Sequence, residues 1–217
     1  MAAARECARQ PLGIPTTRAN LRPDMKFRNF LLSLVYLLAV GCATTRPRPD
    51  PVGDYRAALV TARTNAPAPF ARGSALETGA LAQFKALFAD LSAPNTRARV
   101  REVYAADAFF NDTLKTLHGV DAIEAYLIRS AQATESVTAT FEDVAESNGD
   151  YYVRWVMNIR FKKFRRGETS RTIGITHLRF NTQGKVVLHQ DYWDSAAGLY
   201  QHVPVVGGMI RSIQRRL

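Results

Sequence analysis

The segment VRWVMNIRF, residues 153–161, decides the fold class because its polarity alternates with a period of two. Its odd-numbered side chains are apolar, and polar side chains stand at 154, 158 and 160, as in a strand with one buried face. Similar patterns occur at 137–144, 169–180 and 185–193, separated by turn-like residues. The sequence therefore predicts a meander of long antiparallel strands, each with one polar face.

Helical periodicity precedes this meander. Leu81, Phe84, Phe88 and Leu91 have the spacing of an amphipathic helix of about 16 residues starting near Leu76. A shorter helix is predicted from Asn95. A third is predicted after Gly119, where Asp121 and Glu124 have the spacing of a capping box. Three helices followed by a meander predict an α+β fold, and a sheet that curls around helices leaves a pocket for a small molecule.

The chain has 217 residues with 29 basic and 19 acidic side chains, a net charge of +10, and 47% hydrophobic residues. That apolar fraction excludes a disordered chain, and two cysteines exclude a disulfide scaffold. Residues 1–75 hold 11 of the basic and 4 of the acidic side chains, whereas 76–217 hold 18 and 15. Because most of the excess charge precedes the domain, we expect no nucleic-acid partner.

The basic N-terminal part has the pattern of a secretion leader at 25–41. Lys26 and Arg28 precede an apolar run at 30–40, which is shorter than the ~20 residues that span a bilayer. Cys42 follows it directly and resembles the cysteine of a bacterial lipobox, with Ala39 where leucine is usual. The resemblance implies cleavage, lipidation of Cys42 and anchoring in the bacterial cell envelope, facing the periplasm. The alternative is a short buried helix with an incidental cysteine.

The sequence thus divides into five parts. An extension or misassigned start (1–24) precedes the leader (25–41), and a Pro/Arg-rich tether (42–75) connects it to the domain (76–195). A helical segment ends the chain (196–217). Its basic amphipathic end could lie on a membrane, but its shortness favours a helix that caps the mouth of the pocket.

Several stretches together resemble one family. They are YAADA (104–108), FND (110–112), GVDAI (119–123), LRF (178–180), GKVV (184–187) and DYW (191–193). Residues 76–195 are similar to the SnoaL-like, polyketide cyclase-like branch of the nuclear transport factor 2-like superfamily. The resemblance implies a cone-shaped, curved antiparallel sheet wrapped around three N-terminal helices, a deep pocket, and often a homodimer through the sheet. The superfamily includes isomerases, cyclases, dehydratases, epoxide hydrolases and members without catalysis.

The candidate catalytic residues are His189, Asp191 and Asp112. His189 and Asp191 share a strand face with Trp193, where a carboxylate can orient an imidazole or share a proton with it. The resemblance implies that Asp191 is the acid/base. The alternative is a polar pair that serves the sheet. Asp112 matches the general base of ketosteroid isomerases, or it caps a turn.

Other positions depart from the isomerase pattern. Phe84 stands where those enzymes have a tyrosine, and Thr176 stands where they have a protonated acid. Because neither Phe nor Thr rebuilds that oxyanion hole, steroid-type isomerisation is disfavoured.

The candidate ligand-binding residues are Tyr104, Trp155, Met157, His177 and Trp193. For Trp155, Met157 and Trp193 the alternative is that they belong to the ordinary hydrophobic core. The position of His177 depends on a hairpin. A three-residue loop at 182–184 would place it opposite His189, and a four-residue loop would place Thr176 there. The histidine spacing predicts no metal site, and no cofactor motif occurs.

Two functions are compatible with these sequence features. One is an envelope-anchored domain that binds a small apolar or carbonyl-bearing ligand, with Asp/His acid–base chemistry. The other is a non-catalytic ligand-binding or assembly module that dimerises through the sheet.

Overall fold

The computed structural model describes residues 50–65, 70–92, 94–163 and 167–217. The extension, the leader and Cys42 lie outside the described residues. The helices are α1 (Pro51–Asn65), α2 (Ala75–Ala89), α3 (Thr96–Val103), α4 (Val120–Ala133), α5 (Ser195–Gly198) and α6 (Val206–Gln214), with a 3-10 turn at Tyr200–His202. The strands are β1 (Tyr104–Asn111), β2 (Thr116–His118), β3 (Thr134–Ser147), β4 (Asp150–Phe161), β5 (Ser170–Phe180) and β6 (Val186–Trp193).

The strands form one six-stranded sheet in the order β2-β1-β6-β5-β4-β3. β3 to β6 pair as the antiparallel meander that the sequence predicts. The sheet is mixed, however, because β1 pairs with β6 in parallel. Irregular pairings in the β1–β6, β3–β4 and β5–β6 ladders mark positions where bulges bend a sheet. The predicted α+β fold, with a curved sheet and helices before it, is confirmed.

The three predicted helices, α2 to α4, precede the meander and cover the inner face of the sheet. Phe84 and Leu87 of α2 and Ile123 of α4 are buried in the main core with inward side chains of the strands. The predicted capping box of α4 is wrong. The helix begins at Val120 after Gly119, and Asp121 lies in its first turn. Glu124 instead forms an ion pair with Arg97 of α3 at 2.8 Å.

Helix α1 lies on the outer face of the sheet and corrects the predicted tether at 42–75. Residues 51–65 are helical, and Ala62 is buried against Phe109 and Leu188 in a second, smaller core. A proline at the first helical position and Asp54 in the first turn favour the start of a helix. The compact unit therefore begins at Asp50.

The C-terminal segment also differs from expectation. Its helix α6 packs on the 3-10 turn at 200–202, and none of its residues lines the cavity beneath the sheet. Among the described residues, no helix combines the length and the apolarity that a membrane crossing requires.

Candidate functional site

A cavity of about 360 Å³ lies between the inner face of the sheet and helices α2 and α4. Its wall is mostly apolar and includes Phe88, Leu91, Phe110, Leu114, Leu127, Val137, Trp155, Met157, Ile159, Phe161, Trp193 and Leu199. The polar side chains on the wall are Asp112, Tyr126, Ser130, Thr134, Lys163 and Asp191. An apolar cavity with a few convergent polar groups is the usual form of a small-molecule site.

Asp191 is held on this wall by β5. The Thr176 hydroxyl donates a 2.6 Å hydrogen bond to Asp191 Oδ1, and Trp155 Nε1 lies 2.8 Å from the same hydroxyl oxygen. Because an indole nitrogen can only donate, the threonine hydroxyl accepts a hydrogen bond from Trp155 and donates one to Asp191. The indole fits here because Gly174 stands opposite it, where a Cβ would collide with the ring.

His189 supports Asp191 from its own strand. His189 Nε2 lies 2.9 Å from Asp191 Oδ1, and His189 Nδ1 lies 2.7 Å from the Tyr104 hydroxyl. Burial, followed by the charges of Asp191 and Asp112, raises the pKa of Tyr104 well above its usual value. The hydroxyl therefore keeps its proton. The carboxylate can only accept, so Nε2 is the nitrogen that donates to Asp191, and in that tautomer Nδ1 accepts from the Tyr104 hydroxyl.

Both donors therefore converge on Asp191 Oδ1. Within the part of the chain that the structure describes, Oδ2 has no hydrogen-bond donor, and the residue lies on the cavity wall. Two hydrogen bonds to one oxygen fix the position of the side chain. A carboxylate held in this way can accept a proton from a bound molecule or from water and return it.

Asp112 also lines the cavity, but both of its oxygens are occupied. Oδ1 accepts from the backbone N–H groups of Leu114 and Lys115, which makes it the turn cap of the alternative prediction. Oδ2 accepts from the Tyr126 hydroxyl at 2.5 Å. Burial raises the pKa of Asp112, the Tyr126 and backbone hydrogen bonds oppose this, and the charge of Asp191 adds to the rise. Asp112 is thus less available as a base than Asp191.

Some of the other predicted residues line the cavity wall, and the others lie behind the residues of that wall. Trp155, Met157 and Trp193 line the cavity, and Trp193 Nε1 donates to the Asp112 backbone carbonyl at 2.7 Å. Tyr104 does not line the cavity, contrary to its predicted ligand contact, because it is buried behind His189. His189 is likewise absent from the cavity wall. It acts through Asp191 and is a positioning residue.

The prediction that His177 faces the pocket is wrong. The three-residue loop does form, with Gly184 at φ 79° and the Asn181 N–H bonded to the Lys185 carbonyl at 2.8 Å. A bulge next to this loop shifts the register, so that His177 pairs with Gln190 and Thr176 pairs with Asp191. A shift of one residue moves a side chain to the opposite face, and His177 lies on the outer face.

There His177 joins α1 to the sheet. Its Nε2 lies 2.9 Å from Asp150 Oδ1, its Nδ1 lies 3.0 Å from the Tyr55 hydroxyl, and its ring stacks on Tyr152. Burial is the main cause that lowers the pKa of His177, against the opposing effect of Asp150. Burial raises the pKa of Asp150, but hydrogen bonds from Arg179, Arg63 and His177 outweigh this and lower it.

Sequence reasoning missed Tyr126 and Lys163, and it named Thr176 only as the alternative to His177. Tyr126 adjoins the apolar stripe of α4, but its bond to Asp112 depends on how the helix docks. Thr176 depends on the bulge, and Lys163 follows the end of β4 at the edge of the cavity. Among the described residues, no group of three or more His, Cys, Asp or Glu side chains is placed to hold a metal ion.

Comparison with known proteins agrees with the predicted domain. Residues 84–189, just under half of the chain, match the family model of the SnoaL-like domain. No curated protein matches the chain.

The similar solved structures are distant. A protein with a ketosteroid isomerase-like fold from Catenulispora acidiphila, solved with trimethylamine, is 19% identical with a TM-score of 0.49, and the match covers 57% of this chain and 91% of that one. An NTF2-like protein from Exiguobacterium is 17% identical with a TM-score of 0.47, over 53% and 98%. An LEH-like epoxide hydrolase of M. tuberculosis is 9% identical with a TM-score of 0.48, over 64% and 96%.

Proposed function

We propose that this protein binds a small, mainly apolar molecule in the inner cavity and that Asp191 performs acid–base chemistry on a carbonyl or hydroxyl group of that molecule. The observation that carries this proposal is the Asp191 carboxylate, which lies on the wall of an apolar cavity while Thr176 and His189 hold its Oδ1 oxygen. His189 and Thr176 are positioning residues in this scheme.

The size and the lining of the cavity both support the proposal of a small ligand. Its volume of about 360 Å³ is near the lower end of the usual range of ligand sites, roughly 300–1,000 Å³. Most of the wall is hydrocarbon or aromatic ring. The polar groups Asp112, Tyr126 and Asp191 would orient one polar end of a molecule whose remainder is apolar.

The reaction that fits is proton transfer without a steroid-isomerase oxyanion hole. Phe84 carries no donor and is buried beside His189, with ring centroids 5.7 Å apart. The Thr176 hydroxyl proton is directed to Asp191 and cannot also stabilise an oxyanion. We therefore propose cyclase-, isomerase- or lyase-type proton transfer in which Asp191 is the base.

We propose that the protein is anchored to the bacterial cell envelope through a lipid on Cys42 and faces the periplasm. The support is the order of the sequence: a basic start, an apolar run and a cysteine immediately after Gly41. The seven residues between Cys42 and Asp50 would connect the anchor directly to the compact unit.

Ligand extraction tests the cavity. The purified protein is denatured, and the released small molecules are identified by mass spectrometry. Ala133→Trp places an indole at the cavity wall, where the alanine is exposed. Ala125→Trp adds the same side chain at an exposed position of α4 that does not line the cavity. We expect a compound in the wild type and in Ala125→Trp that is lost in Ala133→Trp. Equal recovery from all three would overturn the proposed site.

A second copy of the chain is a candidate partner for the outer face. Ile173, Ile175 and Tyr192 are 53%, 41% and 50% exposed there, beside helix α1. A dimer through this face would bury them. Light scattering on the wild type and on Ile173→Glu tests this, because a dimer should become a monomer. A monomeric wild type would exclude it.

A further inference from the structure

The C-terminal helix α6 has an apolar stripe that the rest of the compact unit leaves exposed. Val206, Met209 and Ile213 recur at helical spacing and are 38%, 61% and 57% exposed. Val205, just before the helix, is also exposed and holds a left-handed φ of 67°, which a β-branched residue rarely adopts. An exposed apolar stripe and a strained backbone torsion both cost free energy in water, so we expect them to serve a function.

The charge around this stripe is entirely basic. After Asp194 the sequence has no acidic residue, and Arg211, Arg215 and Arg216 lie in or just after α6. Arg211 lies on the face opposite the stripe, where it donates to the Gln201 carbonyl, and Arg215 and Arg216 follow the helix. A short apolar stripe accompanied by such arginines is complementary to an anionic lipid surface. A protein partner that presents an apolar patch to this helix would not require these positive charges for binding.

The position of α1 shows where the chain enters the unit. The Tyr55 ring lies 6.4 Å from that of Tyr192 near the end of β6, and Arg63 is paired with Asp150 at the start of β4. Since β4 and β6 run in the same direction, α1 runs antiparallel to β6. Asp50 is thus at the end of the sheet where β6 finishes.

The cavity and α6 belong to this same end. Trp193, the last residue of β6, lines the cavity together with Phe161 at the end of β4 and Leu199 in the C-terminal segment. The chain continues from there into α5, the 3-10 turn and α6. The entry of the chain, the cavity wall and the basic helix therefore lie at one end of the sheet.

We propose that α6 lies on an anionic bilayer surface and that the cavity takes its ligand from that bilayer. The source of the ligand rests on the cavity proposed above as the binding site. From Cys42 to Asp50 the chain takes eight residue-to-residue steps, which span roughly 29 Å at most at up to ~3.6 Å each. A lipid on Cys42 would therefore hold this end of the sheet near the membrane, where a helix too weak to bind alone can bind as the second attachment.

Membrane contact of α6 is tested on the full chain. Cys7→Ser and the replacement of residues 37–42 by six histidines remove the native thiols, and Ile213→Cys carries an environment-sensitive fluorophore. The protein is bound to phosphatidylcholine vesicles with or without phosphatidylglycerol through a nickel-chelating lipid, which replaces the lipid on Cys42 as the first attachment, and brominated lipid serves as the quencher. A probe at Ser147→Cys, exposed at the opposite end of the sheet, is the matched control.

We expect lipid quenching at position 213 in anionic vesicles, little quenching at 147, and loss of quenching at 213 when Arg211, Arg215 and Arg216 are all changed to Gln. Equal quenching at 213 and 147, or quenching at 213 that is the same with and without anionic lipid, would overturn the proposal. Shielding of 213 in vesicle-free protein, with cross-links between two copies, would also overturn it in favour of a second copy. Because neither lipidation nor bound ligand is measured, these results are independent of the proposed function.

Ligand transfer tests the second half of the proposal. The compound found by ligand extraction is loaded into anionic vesicles, and its transfer to the wild type and to the triple Arg→Gln variant is timed. We expect transfer to slow in the variant from vesicles but to be unchanged when the compound is offered in water. Equal rates from vesicles would overturn uptake from the bilayer.

Discussion

Thr176 and Asp191 face each other across the β5–β6 pair, and the Thr176 hydroxyl donates a 2.6 Å hydrogen bond to Asp191 Oδ1. This pairing exists because a bulge after the β5–β6 turn shifts the register by one residue. It connects the buried Trp155 N–H with the carboxylate on the cavity wall. The hydroxyl is therefore both a structural link and a positioning group.

Thr176→Val should lower the free energy of unfolding by about 1–3 kcal/mol, because it leaves the buried Trp155 N–H without an acceptor. Denaturant unfolding measures this. Thr138→Val makes the same change at a half-buried β3 residue that has no side-chain hydrogen bond within the described residues, and it should have a much smaller effect. Equal effects of the two variants would mean that the threonine link contributes nothing.

Asp150→Asn should loosen helix α1 from the sheet. The carboxylate accepts from Arg63 at 2.6 Å, from Arg179 at 2.8 Å and from His177. Its loss removes the negative charge from the buried pair with Arg179, at a cost of about 3–5 kcal/mol. We expect faster hydrogen exchange throughout residues 51–65. Asp143→Asn, which breaks an exposed pair with Arg154, should change stability by less than about 1 kcal/mol. Unchanged exchange in α1 would contradict its attachment through Asp150.

His177 should make stability depend on pH. Burial lowers its pKa below the usual 6.5, so the unfolded chain binds a proton near pH 6.5 while the folded protein does not. The free energy of unfolding should therefore fall as the pH is lowered through about 6.5. Asp150, Arg179, Arg63, Tyr55 and Tyr152 surround this imidazole.

Denaturant unfolding between pH 5 and pH 8 measures this slope. His177→Gln should flatten it, whereas His118→Gln, at an exposed histidine, should leave it unchanged. A slope that persists in His177→Gln would show that other groups cause it.

Lipidation of Cys42 predicts that labelled palmitate is incorporated in growing bacteria. Cys42→Ala should abolish the label and release the protein from the membrane fraction, whereas Cys7→Ala should retain both. Label that persists in Cys42→Ala would contradict the proposed anchor, since the resemblance to a lipobox assigns the lipid to that single thiol.

Local patterns predicted the sheet and the inward face, but not the contacts between elements. Period-two alternation placed Trp155, Met157 and Asp191 on one side, because side chains of a strand alternate whatever else packs on it. The face of His177 depended on a bulge that no local pattern marks. Helix α1 was missed because its alanine- and threonine-rich composition resembles a linker. Its docking depends on Tyr55 and Arg63 meeting partners more than 80 residues away.

The most direct test of the central claim compares the wild type with Asp191→Asn, which keeps the shape of the side chain and removes the base. The compound recovered from Asp191→Asn is incubated with each protein, and its conversion is followed by mass spectrometry. We predict that both proteins bind it and that the wild type converts it about 10²–10⁴-fold faster, the usual contribution of a positioned base. Binding without conversion by the wild type, or equal conversion by both proteins, would contradict catalysis by Asp191.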